Sequence, residues 1–299
     1  MIRLIPILFL LAACDMRKFN LVYERSIIAN NYPSGSTISF LDHRFYVMGD
    51  DAADILVLDE KMVEIERISI FPKGISARLP KAFKADIEAS LILTRNGIAS
   101  ILFLGSGSLS PHRDTAFLFN PQTKKVENVS MRGFYQQLRA QLSDLNIEAA
   151  TSIENSMLIG IRANRSNPTN YLILAKNNYN SFQYTKKIKI QLGIDQVGIS
   201  GMDYDEKGDI LFMTFSTEDT VNSYDDGKIG ESYLAVIENT KQRLTEVNFT
   251  ISSIYKLSDF HSDFKSQKIE SISIHSDQRK LHLVADDDKG NTTFFTLGF

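Results

Sequence analysis

A short motif with a carboxylate or hydroxyl at its second position recurs along the chain. It runs apolar residue, acid or serine, small residue, and its second positions are Glu88, Glu148, Ser200 and Glu270. Carboxylates gathered at one site repel each other, so they raise one another's pKa values or hold a cation between them. Oxygen ligands of this kind suit calcium or magnesium better than zinc. The motif therefore predicts an acid–base site or a cation site, with calcium as the possible ion.

A structural role is the alternative for the same glutamates. Each carboxylate could accept backbone N–H bonds from a neighbouring repeat, and such a role would recur because the repeat recurs. The sequence leaves both interpretations open.

A second set of polar residues follows a strand-like run in each copy of the motif. The arginines of this set could clamp an anionic group. The run Gly105 to Ser108 could form a backbone nest for a phosphate, or simply a flexible connection. It is not a P-loop, because it lacks the Gly-Lys-Ser/Thr ending. The candidate ligand-binding residues of the set are Asp50, Asp51, Ser106, Ser108, Arg113, Arg162, Arg165 and Asp286.

The sequence identifies no catalytic residue. It contains no Gly-x-Ser-x-Gly nucleophile motif. The five histidines show no paired metal-ligand spacing; they are His43, His112, His261, His275 and His282. Catalytic and metal-binding residues therefore stay unassigned from the sequence, as does the question whether the protein is an enzyme.

The elements that carry the motif are short β-strands. In one copy, Ser90–Leu93 is followed by the turn Arg95-Asn96-Gly97 and by a second run, Ile98–Leu104. Asn-Gly between two strands is typical of a hairpin, because these residues accept positive φ angles. Two further strand-like runs complete each copy, so each copy supplies four strands.

Four strands per copy and a long repeat predict an all-β fold, a five-bladed β-propeller with four-stranded antiparallel blades. The copies start at Thr37, Glu88, Glu148, Ser200 and Glu270, at intervals of 51, 60, 52 and 70 residues. Six blades are possible if a degenerate copy lies in the longer connections, and a β-sandwich is the alternative fold. The last copy ends one strand short at Phe299, so the N-terminal strand Lys18–Tyr23 is predicted to close the last blade.

The first strand of each propeller blade lines the central channel, so the motif and the second polar set are expected to meet at one channel mouth. Two long connections show helical spacing, one between Tyr135 and Leu142 and the other around Ile254 and Tyr255. Both connections would lie near the same rim as the mouth. A separate expectation concerns the fourth copy, whose outer strand is predicted at 245–251.

A family resemblance follows from the repeated start. Asp86-Ile87-Glu88-Ala89, followed by the run from Leu104 to Ser108 and by Arg113, resembles an uncharacterised bacterial propeller family that is distantly similar to phytase-like and esterase-like propellers. The resemblance implies channel carboxylates that bind calcium and cations that hold phosphate. Ser200 in place of one glutamate, and a first copy without one, depart from that pattern. The implied functions are binding of a small or anionic ligand or, alternatively, calcium-dependent phosphoesterase or esterase activity.

The N-terminal residues have the pattern of a targeting signal. Met1-Ile2-Arg3 precedes an apolar run, and Leu11-Ala12-Ala13-Cys14 resembles the lipobox of bacterial lipoproteins. The resemblance implies cleavage after residue 13 and a lipid on Cys14 that anchors the protein in the cell envelope facing the periplasm; a secretory signal that merely ends in cysteine is the alternative. Asp15 slightly favours the inner membrane. The predicted organisation is a signal peptide at 1–13, a lipidated tether and closing strand at 14–35, and the propeller at 36–299.

Composition limits the partners. The chain has 33 basic and 36 acidic residues, which gives a net charge of −3. This charge argues against a nucleic-acid-binding protein. The single cysteine excludes an internal disulfide. The expected partners are a membrane through the lipid and a small or anionic ligand, and docking of a protein on the sides of the blades stays open.

Overall fold

The structure is a computed structural model, which describes residues 19–29, 31–71, 78–177, 181–218, 229–246, 248–287 and 290–299. In these ranges the chain forms five sheets of short strands. Each sheet is one blade, and consecutive strands of a blade pair antiparallel. The fold is therefore the predicted five-bladed β-propeller.

The first two blades follow a short N-terminal strand. The strands are β1 (Val22–Ala29), then β2 (Gly35–Leu41), β3 (Arg44–Gly49), β4 (Asp54–Leu58) and β5 (Glu64–Ser69) of blade 1. Blade 2 contains β6 (Ile87–Arg95), β7 (Ile98–Gly105), β8 (Thr115–Asn120) and β9 (Lys125–Ser130), and helix α1 (Arg132–Arg139) follows it.

The remaining blades complete the ring. Blade 3 contains β10 (Ile147–Ile153), β11 (Ser156–Ile161), β12 (Asn170–Asn177) and β13 (Phe182–Ile190). Blade 4 contains β14 (Val197–Asp205), β15 (Ile210–Glu218) and β16 (Ile229–Glu238); the short helix α2 (Thr240–Arg243) and β17 (Asn248–Phe249) precede its outer strand, β18 (Ser253–Lys256). Blade 5 contains β19 (Lys268–His275), β20 (Lys280–Asp286) and β21 (Thr292–Gly298). Single 3₁₀ turns lie at Leu257–Asp259, Ser262–Phe264 and Ser276–Gln278.

Blade 5 takes its fourth strand from the start of the chain. β1 pairs antiparallel with β21, with Ser26 opposite Phe295. The prediction of an N-terminal closing strand is confirmed, although the strand runs further along the chain than Lys18–Tyr23. The pairing ties the two ends of the propeller together, so an otherwise open sheet edge is covered.

The outer strand of blade 4 differs from the prediction at 245–251. The strand that pairs with β16 is β18, and Asn248-Phe249 instead pairs parallel with β13 of blade 3. Phe249 is almost fully buried in the apolar cluster between blades 3 and 4, so its burial draws this segment to the neighbouring blade. The helical spacing predicted around Ile254 is also wrong, because this segment is β18, whereas the helix predicted near Tyr135 is confirmed as α1.

The core lies between the blades. Each of five apolar clusters joins residues of two neighbouring blades. The inner strands β2, β6, β10, β14 and β19 contact one another around the central channel. Within the channel, Asp203 of blade 4 accepts hydrogen bonds from Thr151 Oγ1 of blade 3 at 3.1 Å and from the Ile274 amide of blade 5 at 2.9 Å. Burial raises the pKa of Asp203 to about 6. This carboxylate therefore links three blades below the mouth.

In the described part of the chain, the longest helix has the eight residues of α1, and no helix is long and apolar enough to cross a membrane.

Candidate functional site

Each inner strand begins with a β-bulge, and the extra residue of each bulge belongs to one ring at the channel mouth. In β6, for example, Ile87 lies opposite Gly105 and Ala89 lies opposite Leu104, so Glu88 is unpaired. A bulge turns the side chain of the extra residue away from the regular pleat. The five equivalent residues, here called the mouth ring, are Ser36, Glu88, Glu148, Ser200 and Glu270.

Ser36 is the ring residue that the sequence prediction missed. The sequence prediction starts the first copy at Thr37, one residue too late, because Gly35 does not match the apolar first position of the motif. The order Gly35-Ser36-Thr37 matches Ile199-Ser200-Gly201 in its central serine. Both serine hydroxyls are buried: Ser36 Oγ donates to the Ser34 carbonyl at 3.0 Å, and Ser200 Oγ donates to Thr214 Oγ1 at 3.2 Å.

The three glutamates of the ring influence one another's protonation. Burial raises the pKa of Glu88 well above its ordinary range, and the charges of Asp86 and Glu148 raise it further. Burial likewise raises the pKa of Glu270 to about 8, although Lys268 at 3.1 Å opposes the shift. The Glu270 carboxyl is therefore mostly protonated at neutral pH, and a protonated carboxyl can donate a hydrogen bond.

A lysine lies among the carboxylates on the blade 1 and blade 2 side of the mouth. Lys84 Nζ contacts the Asp50 carboxylate and lies 2.8 Å from Asp86 Oδ1. Burial disfavours the ammonium, but the charges of Asp50, Asp86 and Glu88 outweigh it and raise the pKa of Lys84. Carboxylate oxygens of the same three acids lie within 4.8 Å of one another. This cluster is the part of the mouth that could hold a cation.

Asp86 connects the cluster to the second polar set. Its Oδ2 accepts hydrogen bonds from Ser106 Oγ and Arg113 Nη1, both at 2.5 Å, and from Ser108 Oγ at 3.3 Å. Arg113 is only 2% exposed, so its guanidinium lies beneath the mouth and faces Asp86. Asp86 has a φ of 56°, a left-handed conformation that turns its side chain into this network.

Arg162 joins blade 3 to blade 4. Its Nη1 donates to the Ile199 carbonyl at 3.1 Å and to Ser216 Oγ at 3.2 Å, and it lies 3.7 Å from Glu148 Oε2. Gly198 makes room for this side chain, because a Cβ atom there would lie 2.5 Å from Arg162 Cγ. The missing side chain of Gly198 therefore lets Arg162 reach across the blade interface.

A cavity beside the mouth contains the second arginine of this loop. Arg162 and the exposed Arg165 line it together with Lys189, and its volume is about 500 Å³. Asp195 is the acidic residue of its lining. The lining is therefore positive overall and lies on the same rim as the mouth ring.

The other predicted residues lie around this rim. Asp51 is buried and accepts a hydrogen bond from Arg78 Nε at 2.8 Å; burial and the charge of Asp50 raise its pKa. Asp286 ends β20, and its charge contributes to the raised pKa of Glu270. Cys14 lies outside the described residues.

Five four-stranded blades, the last of them closed by the N-terminal strand, define a five-bladed β-propeller with a ring of polar residues at one channel mouth. The chain belongs to a family of unknown function, DUF6929, which matches residues 31–298. No curated protein sequence matches the chain.

Two solved structures are similar in outline. One is the glutaminyl cyclase of Myxococcus xanthus, at 10% sequence identity and a TM-score of 0.47, with 93% of this chain and 96% of that chain covered. The other is a member of the DUF4221 family from Bacteroides vulgatus, at 12% identity and a TM-score of 0.42, with 93% and 97% covered.

Proposed function

We propose that the mouth ring and the adjoining cavity bind a small anionic ligand. The observation that carries this proposal is the pairing of protonated glutamates with cations on one rim. Glu270, whose pKa is raised to about 8, can offer an O–H donor in place of a negative charge, and the pKa of Glu88 is raised in the same direction. Arg162, which lies 3.7 Å from Glu148 of the ring, lines the adjoining cavity together with Arg165. Hydrogen-bond donors and guanidinium groups on one rim suit a carboxylate or phosphate group.

The negative charge of the ring does not oppose such a ligand at neutral pH. Lys84 lies between Asp50 and Asp86, and Lys268 is paired with Glu270. An incoming anion therefore meets the mostly neutral Glu270 carboxyl and carboxylates whose charge Lys84 compensates.

Calorimetric titration with inorganic phosphate at about pH 6 tests this proposal. We expect the wild-type protein to bind one phosphate, and Arg165→Ala to weaken binding about tenfold, since a charge-assisted hydrogen bond contributes roughly 1.5–3 kcal/mol. Arg95→Ala is the matched control, because Arg95 is an exposed arginine on the hairpin between β6 and β7, at the opposite rim. Equal losses in both variants, or no binding by the wild-type protein, would contradict the proposal.

A calcium-dependent phosphoesterase or esterase is the second candidate. It is favoured by the three carboxylates within 4.8 Å of one another, and by the buried Asp50 Oδ1, which accepts no hydrogen bond from the described residues. Hydrolysis of 4-nitrophenyl phosphate that requires added CaCl₂ and is lost in Glu88→Gln would select this candidate. Phosphate binding without turnover in CaCl₂ would select the binding function.

We further propose that the propeller is lipid-anchored in the bacterial envelope through Cys14 and faces the periplasm, with Asp15 favouring the inner membrane. The apolar run before Cys14 supports this, because it is too short to span a bilayer. In a bacterial host, the full-length protein is expected in the membrane fraction and Cys14→Ser in the soluble fraction. The same distribution for both proteins would contradict lipid anchoring.

A further inference from the structure

A second group of chemically able side chains lies at the rim opposite the mouth, on the seam between blades 1 and 5. His43 occupies the hairpin between β2 and β3, and Glu60 follows β4, so both belong to blade 1. His275 ends β19 of blade 5. The three residues, here called the seam cluster, are far apart in sequence and meet because the ring closes between these blades.

Both imidazoles face the same carboxylate oxygen. His43 Nδ1 lies 2.6 Å from Glu60 Oε1, and His275 Nε2 lies 3.9 Å from that same atom. The positive φ angles of Asp42 and His43 form the tight turn that holds the His43 ring beside Glu60. Glu60 is therefore the common neighbour of two potential nitrogen ligands.

His275 is buried without the partners that a buried imidazole normally has. It is 5% exposed, and neither ring nitrogen makes a hydrogen bond to the residues that the structure describes. Its ring stacks on Phe40 at 4.2 Å between centroids, which fixes its plane. Buried polar atoms nearly always have partners, so an oriented imidazole with both nitrogens unsatisfied indicates a ligand that completes it.

We propose that the seam cluster is a binding site for a zinc-like divalent transition metal ion, held by His43, Glu60 and His275. Two imidazoles and one carboxylate are ligands that zinc accepts, with a fourth position left for water or another group. Tetrahedral coordination at about 2.0–2.2 Å places donor atoms about 3.4 Å apart. Glu60 Oε1 lies 2.6 Å from the His43 nitrogen and 3.9 Å from the His275 nitrogen, on either side of that value, whereas these two imidazole nitrogens lie more than 4.8 Å apart. His43 must therefore move toward His275 to complete the site, and its side chain, which is 85% exposed, is free of the packing that would prevent this movement.

Further charges around the seam cluster fit a cation. Asp277 lies close enough to both rings for their charges to act on it: its pKa is lowered chiefly by its hydrogen bond with Lys207 and further by His275 and His43. His282 lies deeper, 2% exposed against Phe45, and burial lowers its pKa to about 3, so it adds no positive charge at neutral pH.

A metal ion at this place would clamp the seam. Two ligands come from blade 1 and one from blade 5, on the opposite rim from the mouth ring. Binding that occurs only in the folded state stabilises that state by mass action, so the ion is expected to raise the unfolding temperature. The site is separate from the proposed ligand mouth, and the two proposals can fail independently.

The test is a titration of the chelator-treated full chain with ZnCl₂, followed by calorimetry and by thermal unfolding. We expect one ion per chain and a higher unfolding temperature, with binding weakened about tenfold or more in His43→Ala and in Glu60→Gln. Both substitutions are at exposed side chains, so the variants are expected to fold. Co²⁺ in place of Zn²⁺ should give the intense visible absorption of a tetrahedral site.

Two exposed or half-exposed histidines outside the seam cluster provide the controls, His112→Ala and His261→Ala, which should bind zinc as the wild type does. Absence of zinc binding by the wild-type protein would overturn the proposal. Undiminished binding in both His43→Ala and Glu60→Gln would do so as well. Loss of binding in Glu88→Gln alone would place the ion at the mouth and would equally overturn the seam site.

Discussion

Asp86→Asn is expected to lower the free energy of unfolding by about 3–5 kcal/mol, the usual effect of removing one partner of a buried ion pair. The Asp86 carboxylate is 5% exposed and receives hydrogen bonds from Arg113, Ser106 and Ser108, with Lys84 at 2.8 Å. Asparagine has nearly the same shape as aspartate and tolerates the left-handed backbone, so the loss of stability reports the removal of the negative charge. Urea unfolding followed by tyrosine fluorescence measures it, since the chain has 11 tyrosines and no tryptophan.

The control for this prediction is Asp277→Asn. Asp277 also forms an ion pair, with Lys207 at 2.5 Å, but both side chains are exposed, and exposed pairs contribute little to stability. We therefore expect almost no change in the control. A loss for Asp86→Asn no larger than that of the control would show that Asp86 does not organise the mouth.

Stability is expected to fall as the pH rises, and Glu270 is the main reason. Its pKa is raised from 4.5 to about 8, so between these values the folded state keeps a proton that the unfolded state has released. A group of this kind stabilises the fold fully below pH 4.5, and the contribution is lost as the pH rises through about 8. Glu88 acts in the same direction. Asp203, with a pKa of about 6, contributes mostly at lower pH.

Comparison of urea unfolding at about pH 6 and about pH 9 separates these groups. Between these two pH values, deprotonation of Glu270 should lower the free energy of unfolding of the wild-type protein by about 2–3 kcal/mol. Glu270→Gln keeps the neutral shape and should remove that part of the pH dependence. Glu206→Gln, at an exposed glutamate on the hairpin between β14 and β15, is the control and should follow the wild type. An equal loss of unfolding free energy between the two pH values in the wild type and in Glu270→Gln would contradict the raised pKa of Glu270.

The fold was largely predictable because its signal is local and repeated. Strand pairs with turns such as Arg95-Asn96-Gly97 recur along the chain. The last copy lacks its fourth strand, which predicts that a strand near the N-terminus completes the last blade. The prediction was wrong where a segment of one blade pairs with the neighbouring blade. Strand β17 is only two residues long, so it shows no alternation of apolar and polar residues, and its position follows from the burial of Phe249 between blades 3 and 4.

The candidate site was predictable in part for the same reason. The repeat located Glu88, Glu148 and Glu270, because the bulge occurs at the same place in each blade. It did not reveal the central role of Asp86, which depends on a left-handed backbone and on an arginine in another loop. Nor did it reveal the seam cluster, since His43 and His275 lie on different blades and only ring closure brings both near Glu60.

The central claim is that protonated glutamates at the mouth ring receive an anion. The most direct test is calorimetric titration with sulfate at about pH 6 and about pH 9, because sulfate keeps its charge over this range whereas Glu270 loses its proton near pH 8. We expect the wild-type protein to bind sulfate about tenfold or more weakly at the higher pH, and Glu270→Gln to lose clearly less affinity over the same interval. Equal wild-type affinity at the two pH values, or the same loss in Glu270→Gln, would contradict this account of the mouth.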